Sequence, residues 1–317
     1  MTTLHILNGQ GTANNFELVG DQMVWNEALA CGPTHYQVAS PVFHQVRQTH
    51  YRQYTDLPLR TPFQFSEAEY DRILTQEMDK LASADKYDEI TLWFEFDWFC
   101  QINMMAALSW FWQAQVALDC LYLVCIDDHP AVEDFRGLGQ LSTAHFGPLF
   151  EKRQKLNVTD IAFADKVWAA YCGQDMQALN TLIKHETPDV FPFLATAFAY
   201  FQQLFPNTTN GLNLIEHQML DLLKNQTLEN RHQWVGKMLR QSNPHLGFGD
   251  LQYYDTMQRM DALWEENGQV KLTALGEQVL NQQENFLDIQ PNGYALGGMQ
   301  NTDYRWEAST GTVIDKK

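Results

Sequence analysis

Glu95 and Asp97 stand two residues apart in the run Ile90 to Gln101, ITLWFEFDWFCQ, among Trp93, Phe94, Phe96 and Trp98. A carboxylate among apolar groups is costly unless it is paired, protonated or opened onto a pocket. Groups held that way are where proton transfer and cation binding are built. Glu95 or Asp97 is therefore a candidate base, or a candidate ligand for Mg²⁺. On a strand that continues through both positions the two side chains share a side. Their repulsion then raises one pKa or invites a cation. A structural role fits the same residues: Asp97 as the cap of a helix that contains Gln101, and Glu95 paired with an arginine such as Arg136 or Arg305.

Other chemistry-bearing positions lie where strands end. Leu4 to Leu7 runs into Asn8-Gly9-Gln10-Gly11-Thr12, with a helix expected from about Ala13. Gly9 and Gly11 allow close backbone approach, and a helix start can hold an anion. The spacing stops at GxG, because Asn14 and Asn15 occupy the place of a third glycine. A tight turn and a phosphate cradle both remain open. Glu27 follows the strand Gln22 to Trp25, so Asn8 and Glu27 either face one crevice or Glu27 is tied to its neighbours. Gln101, Gly139 and Gln140 complete the candidate ligand-binding set. Asp127-Asp128-His129-Pro130 reads as a metal-binding strand end or as a turn. His35, His44 and His50 lack HxH or HExxH spacing and read as packing or surface residues.

The elements that must position these residues begin with four apolar strands: Leu4 to Leu7, Gln22 to Trp25, Asp88 to Phe94 and Leu121 to Ile126. Strands apolar on both faces and alternating with helices indicate a parallel sheet covered on both sides. The fold class expected is α/β. Residues 1–145 form a Rossmann-like domain with a mainly parallel sheet, and residues 146–317 a mainly helical domain. Thr34 to Pro62 is an irregular aromatic excursion suited to a lid or pocket wall. Ser66-Glu67-Ala68-Glu69 opens a helix with a capping box. In the second half, helices at Asn213 to Lys224, His232 to Arg240 and Asp250 to Glu265 precede a short hairpin at Gly268 to Thr273. That order, over about residues 211–285, is winged-helix-like. A terminal hairpin is expected within Asn292 to Ile314.

Composition narrows the partners. With 21 Lys and Arg against 39 Asp and Glu, the net charge is −18, which opposes nucleic acid and anionic membranes. The helix in the recognition position carries Asp250, Asp255, Asp261, Glu265 and Glu266 against Arg259. The short cluster Glu151-Lys152-Arg153-Gln154-Lys155 reads as a solvated helix end. The start, MTTLHILNG, shows no signal-peptide pattern, and Gln101 to Leu118 fits a buried helix better than a membrane span. Five cysteines with no CxxC argue against a disulfide framework or a common zinc site. The expectation is a cytoplasmic protein.

Several segments together resemble a bacterial family, domain of unknown function 1835. They are Leu4 to Ala13 (LHILNG…A), Val24 to Leu29 with Gly32-Pro33, Trp93 to Gln101, and Phe135 to Leu141 (FRGLGQL). Gln10 stands where that family often has Asp, and Asn26 where Arg is common. The second half is similar to its partner domain, domain of unknown function 3658, at Leu272 to Leu280 and Arg305-Trp306. The resemblance implies a domain layout rather than a reaction, and neither it nor the residues identifies a cofactor.

Two functions remain. In one, a small ligand, phosphorylated or nucleotide-like, binds at the carboxyl ends of the strands, with Glu95 and Asp97 catalytic. In the other, the protein is a regulatory module that meets a protein partner, or a second copy of itself, through the winged-helix-like segment.

Overall fold

The computed structural model describes residues 1–60, 65–290 and 293–316. Pro62, at the end of the aromatic excursion, and Asn292, at the start of the tail, lie outside the described residues. Five strands form the main sheet: β1 (Thr3–Asn8), β2 (Asp21–Trp25), β3 (Glu89–Glu95), β4 (Leu121–Ile126) and β5 (Gln154–Lys155). Their spatial order is β2-β1-β3-β4-β5. The first four run parallel, and β5 adds an antiparallel edge the sequence pattern does not announce. About half of the chain is helical, so the class is α/β.

The strands are parallel because both faces are covered. Leu4, Ile6, Met23, Ile90 and Leu92 enter one large apolar cluster, whereas Leu7, Trp93 and Val124 join Phe16, Phe135, Leu138 and Phe146 in a second. Each fully buried side chain of this size stabilises the fold by roughly 1.5–3 kcal/mol. The larger cluster is continuous across residue 145: Trp98 stacks on Phe201 at 4.3 Å and meets Tyr171 edge-on. The tail also returns to the first half, where Gly32-Pro33 pairs parallel with Leu296-Gly297.

One open alternative is decided and four expectations are corrected. Of the two readings of Asp97 the cap is the one found: β3 stops at Glu95, and Asp97 caps the helix Trp98–Ala114 by accepting from the Cys100 amide at 2.9 Å. The excursion is not irregular: Ser40 caps a twelve-residue helix, Pro41–Arg52, accepting from the Phe43 amide. The helix at 250 ends at Arg259, because Trp264–Glu266 is recruited as a strand against Val270–Leu272. Arg153 is no solvated charge; its guanidinium grips the nearly buried Glu89 at 2.6 and 2.9 Å. After Ser66 the helical stretch is wound unevenly, with a wide turn at Asp71–Thr75 and a kink at Ser83.

The capping role of Ser66 and the terminal hairpin (Tyr304–Glu307 with Thr312–Asp315) match the expectations, and the five cysteines are free thiols here. Among the described residues no helix is long and apolar enough to cross a membrane.

Candidate functional site

The sheet reverses its order between β1 and β3, since the chain steps from β1 to β2 on one side and then places β3 on the other. Ligands of open α/β sheets sit at such a point, beyond the carboxyl ends of the strands. Asn8 ends β1 and Glu95 ends β3, so the two residues meet there.

A cleft of about 380 Å³ opens at this place. Its floor is Asn8, Glu95, Asp97 and Cys100; one wall is Arg136 to Gln140, and the opposite wall is supplied by Ser242 to Phe248 of the second half. Glu95 and Asp97 line the cleft while remaining 5% and 3% exposed. The Glu95 carboxylate accepts from the Leu138 amide at 2.8 Å and from the Cys100 thiol at 3.0 Å. Asn8 donates to the Cys100 sulfur at 2.9 Å, and Asn103 donates to the Asn8 carbonyl oxygen at 3.0 Å and to the Glu27 main chain at 2.7 Å. The floor is thus one connected network, positioned by a strand end, a helix cap and a helix interior.

Burial, and then the charge of Asp97, push the Glu95 carboxyl up to about 7. Burial also lifts Asp97 to about 6, against the hydrogen bonds from the Cys100 amide and thiol that favour its charged form. A carboxyl poised near 7 can both give and take a proton at neutral pH. Burial beside the two acids drives the Cys100 thiol well above its ordinary value, so it stays protonated and donates to Glu95.

The walls depend on missing side chains. At Gly247 the backbone has φ +68°, and a Cβ there would fall 2.1 Å from Asp97 Oδ1. At Gly139 a Cβ would press on the Gly11 main chain at 3.1 Å, so the two turns pack backbone to backbone. Gln140 accepts from the amides of Arg136 and Gly137 at 2.6 and 3.2 Å and holds the wall in its bend.

Of the residues singled out from sequence, Asn8, Gly11, Glu95, Asp97, Gly139 and Gln140 meet in this cleft. Three do not line it. Gly9 spends its amide on the Trp25 carbonyl at 2.9 Å, so it offers no anion contact, and the helical turn after it is only Gln10–Ala13. Glu27 is fully buried: it takes Arg47 Nε at 2.9 Å and the hydroxyls of Tyr51 and Tyr70. Arg47 also donates to the carbonyls of Ala28, Cys31 and Pro33, so this pair ties down the chain after β2. Gln101 is fully buried and donates to the Glu95 carbonyl at 2.7 Å, positioning the end of β3.

The arginines proposed as partners of Glu95 are engaged elsewhere. Arg136 lines the cleft but donates to the carbonyls of Arg240 and Ser242, and Arg305 to those of Asn301, Thr302 and Tyr304. Among the described residues no group of three or more His, Cys, Asp or Glu is placed to hold an ion.

Sequence reasoning missed Cys100, Asn103 and the 242–248 wall. For the first two a signal existed, since Cys100 falls three positions after a capping Asp, where the cap's bond is received, and Asn103 stands three further on, on the same helix face as Cys100. Compared with known proteins, the chain matches no family model and no curated protein.

Proposed function

We propose that the chain binds a small polar ligand in the cleft at the carboxyl ends of β1 and β3, and that Glu95 and Asp97 move a proton on it. One observation carries this reading: two adjoining carboxyls, both nearly buried and both lifted toward neutrality, open onto a cavity at the order reversal of the sheet. A structural pair would gain nothing from facing a cavity. A phosphorylated or nucleotide-like ligand has one cation to meet among the residues lining the cleft, Arg136; a hydroxyl-rich ligand has two carboxyls to bond.

The finer fold readings belong to the same proposal. The strand order fits a Rossmann-like half, and the helices Leu214–Asn225, Arg231–Gln241 and Asp250–Arg259 with the 264–272 hairpin fit a winged helix. We read the winged-helix-like part as a wall of the site and not as a groove reader. Tyr253, Tyr254, Thr256 and Met257 of its third helix are buried, which leaves little to enter a groove. Kinship with domain of unknown function 1835 is part of the reading too. Three of its four segments, Leu4 to Ala13, Trp93 to Gln101 and Phe135 to Leu141, supply residues that line this one cleft.

The test is thermal-shift screening of nucleotides, sugar phosphates, free sugars and divalent ions against wild type and Glu95→Gln/Asp97→Asn. A stabilising ligand whose shift vanishes in the double variant is expected. A ligand shift of equal size in both proteins would overturn the site.

A further inference from the structure

We propose that the ligand has two parts: an uncharged, hydroxyl-bearing head at Glu95 and Asp97, and a planar ring held in an aromatic pocket alongside. This rests on the cleft reading above and extends it to a ligand class, nucleosides and similar glycosides with a flat aglycone. A second cavity, of about 840 Å³, adjoins the cleft, and Phe99 and Gly247 line both. It follows the carboxyl edge of the sheet outward, past Gln10 beyond β1 and Asn26 beyond β2. The two cavities therefore adjoin along the strand ends, with Phe99 and Gly247 between them.

Their linings differ in chemistry. The second is walled by Phe65, Tyr70, Ile73, Phe99 and Leu251, with the Phe65 and Tyr70 rings 6.3 Å apart. Charge stays at its rim, on the exposed Glu69, Arg72 and Asp250. The Tyr70 hydroxyl is committed to Glu27 at 3.0 Å, so the pocket sees the ring and not the phenol oxygen. Apolar walls with a few polar groups at the edge are what a flat ring needs, and aromatic rings add stacking or edge contacts. At the other end, two carboxyls accept hydroxyl protons well and repel an anion once either is ionised. Head and ring are thereby sorted to two adjoining cavities.

Isothermal titration with methyl β-riboside, adenosine and adenosine monophosphate tests this on wild type, Glu95→Gln/Asp97→Asn, Phe99→Ala and Leu251→Ala. Adenosine is expected to bind about tenfold more tightly than methyl riboside, the gain a single good aromatic contact gives. Leu251→Ala, which lines the second cavity and not the cleft, should erase most of that gain and leave methyl riboside unchanged, whereas Phe99→Ala, where the two cavities adjoin, should weaken both probes. The monophosphate should bind no tighter than adenosine at pH 8. Equal binding of adenosine and methyl riboside, or a gain untouched by Leu251→Ala, overturns the two-part site and leaves the cleft standing. Binding of both probes unaffected by the double carboxyl variant overturns the cleft reading itself, and absence of adenosine binding to any of the proteins overturns the ligand class.

Discussion

Glu95→Gln should make the protein more stable at pH 8 while leaving it nearly unchanged at pH 5. The carboxyl rises from 4.5 to about 7 on folding, because the folded chain strips it of water beside Asp97. Its raised pKa contributes stability that is fully present below about 4.5, where both folded and unfolded chains hold the proton. Between 4.5 and about 7 the unfolded chain ionises first, so stability falls as pH rises, and above about 7 the loss is complete. At roughly 1.4 kcal/mol per pH unit, the full loss is about 3 kcal/mol. Glutamine has no such loss, and its carbonyl oxygen can still accept from the Leu138 amide, as Glu95 does at 2.8 Å. Urea denaturation of both proteins at half-unit steps from pH 5 to pH 8 reads the effect of Glu95 together with its coupling to Asp97, because titrations not coupled to Glu95 cancel in the difference. The difference should grow by about 2.5 kcal/mol over this range, with most of the change between pH 5 and 7. A difference that stays flat would show that Glu95 is ionised in the folded chain throughout this range, and the proton-transfer role would fall with it.

Other perturbations separate the scaffold from the site. Arg47→Met should destabilise the fold by about 3–5 kcal/mol in urea denaturation, since it strands the fully buried Glu27 without its cation; adding Glu27→Gln should recover part of that loss. Gly247→Ala should cost about 2 kcal/mol or more in the same assay and abolish ligand shifts, through the positive φ and the 2.1 Å approach to Asp97; wild-type stability would remove Gly247 from the wall. Cys100, buried and with its thiol pushed well up, should resist iodoacetamide at pH 8 in the native protein and label only when denaturant is added, as read by peptide mass mapping.

The sheet was legible because its strands are apolar on both faces, and a two-sided apolar run between helices has few other homes. The position of Glu95 was legible for a related reason: a carboxylate at the end of such a run has to leave the core or be answered within it. Asp97 was harder. Strand continuation and helix capping make the same demand on one residue, and only the Cys100 amide at 2.9 Å decides for the cap. Glu27 went astray because its partner, Arg47, lies on a helix that the aromatic and proline-rich excursion conceals.

The opposite wall of the cleft was illegible in principle. Gly247-Phe248-Gly249 has the composition of any turn, and nothing local says that it closes over Asp97. The local devices, a strand end and a cap, place the two acids; contacts between distant parts of the chain decide whether they are buried. The wall also does more than enclose. Burial is the largest cause of both raised carboxyls, and the 242–248 wall lines the same cleft, so the second half contributes to the protonation of acids that the first half carries. A substitution that loosens the 242–248 wall without touching Glu95 or Asp97 should therefore lower both acids toward their ordinary values, an effect a scaffold-only role for the second half would not produce.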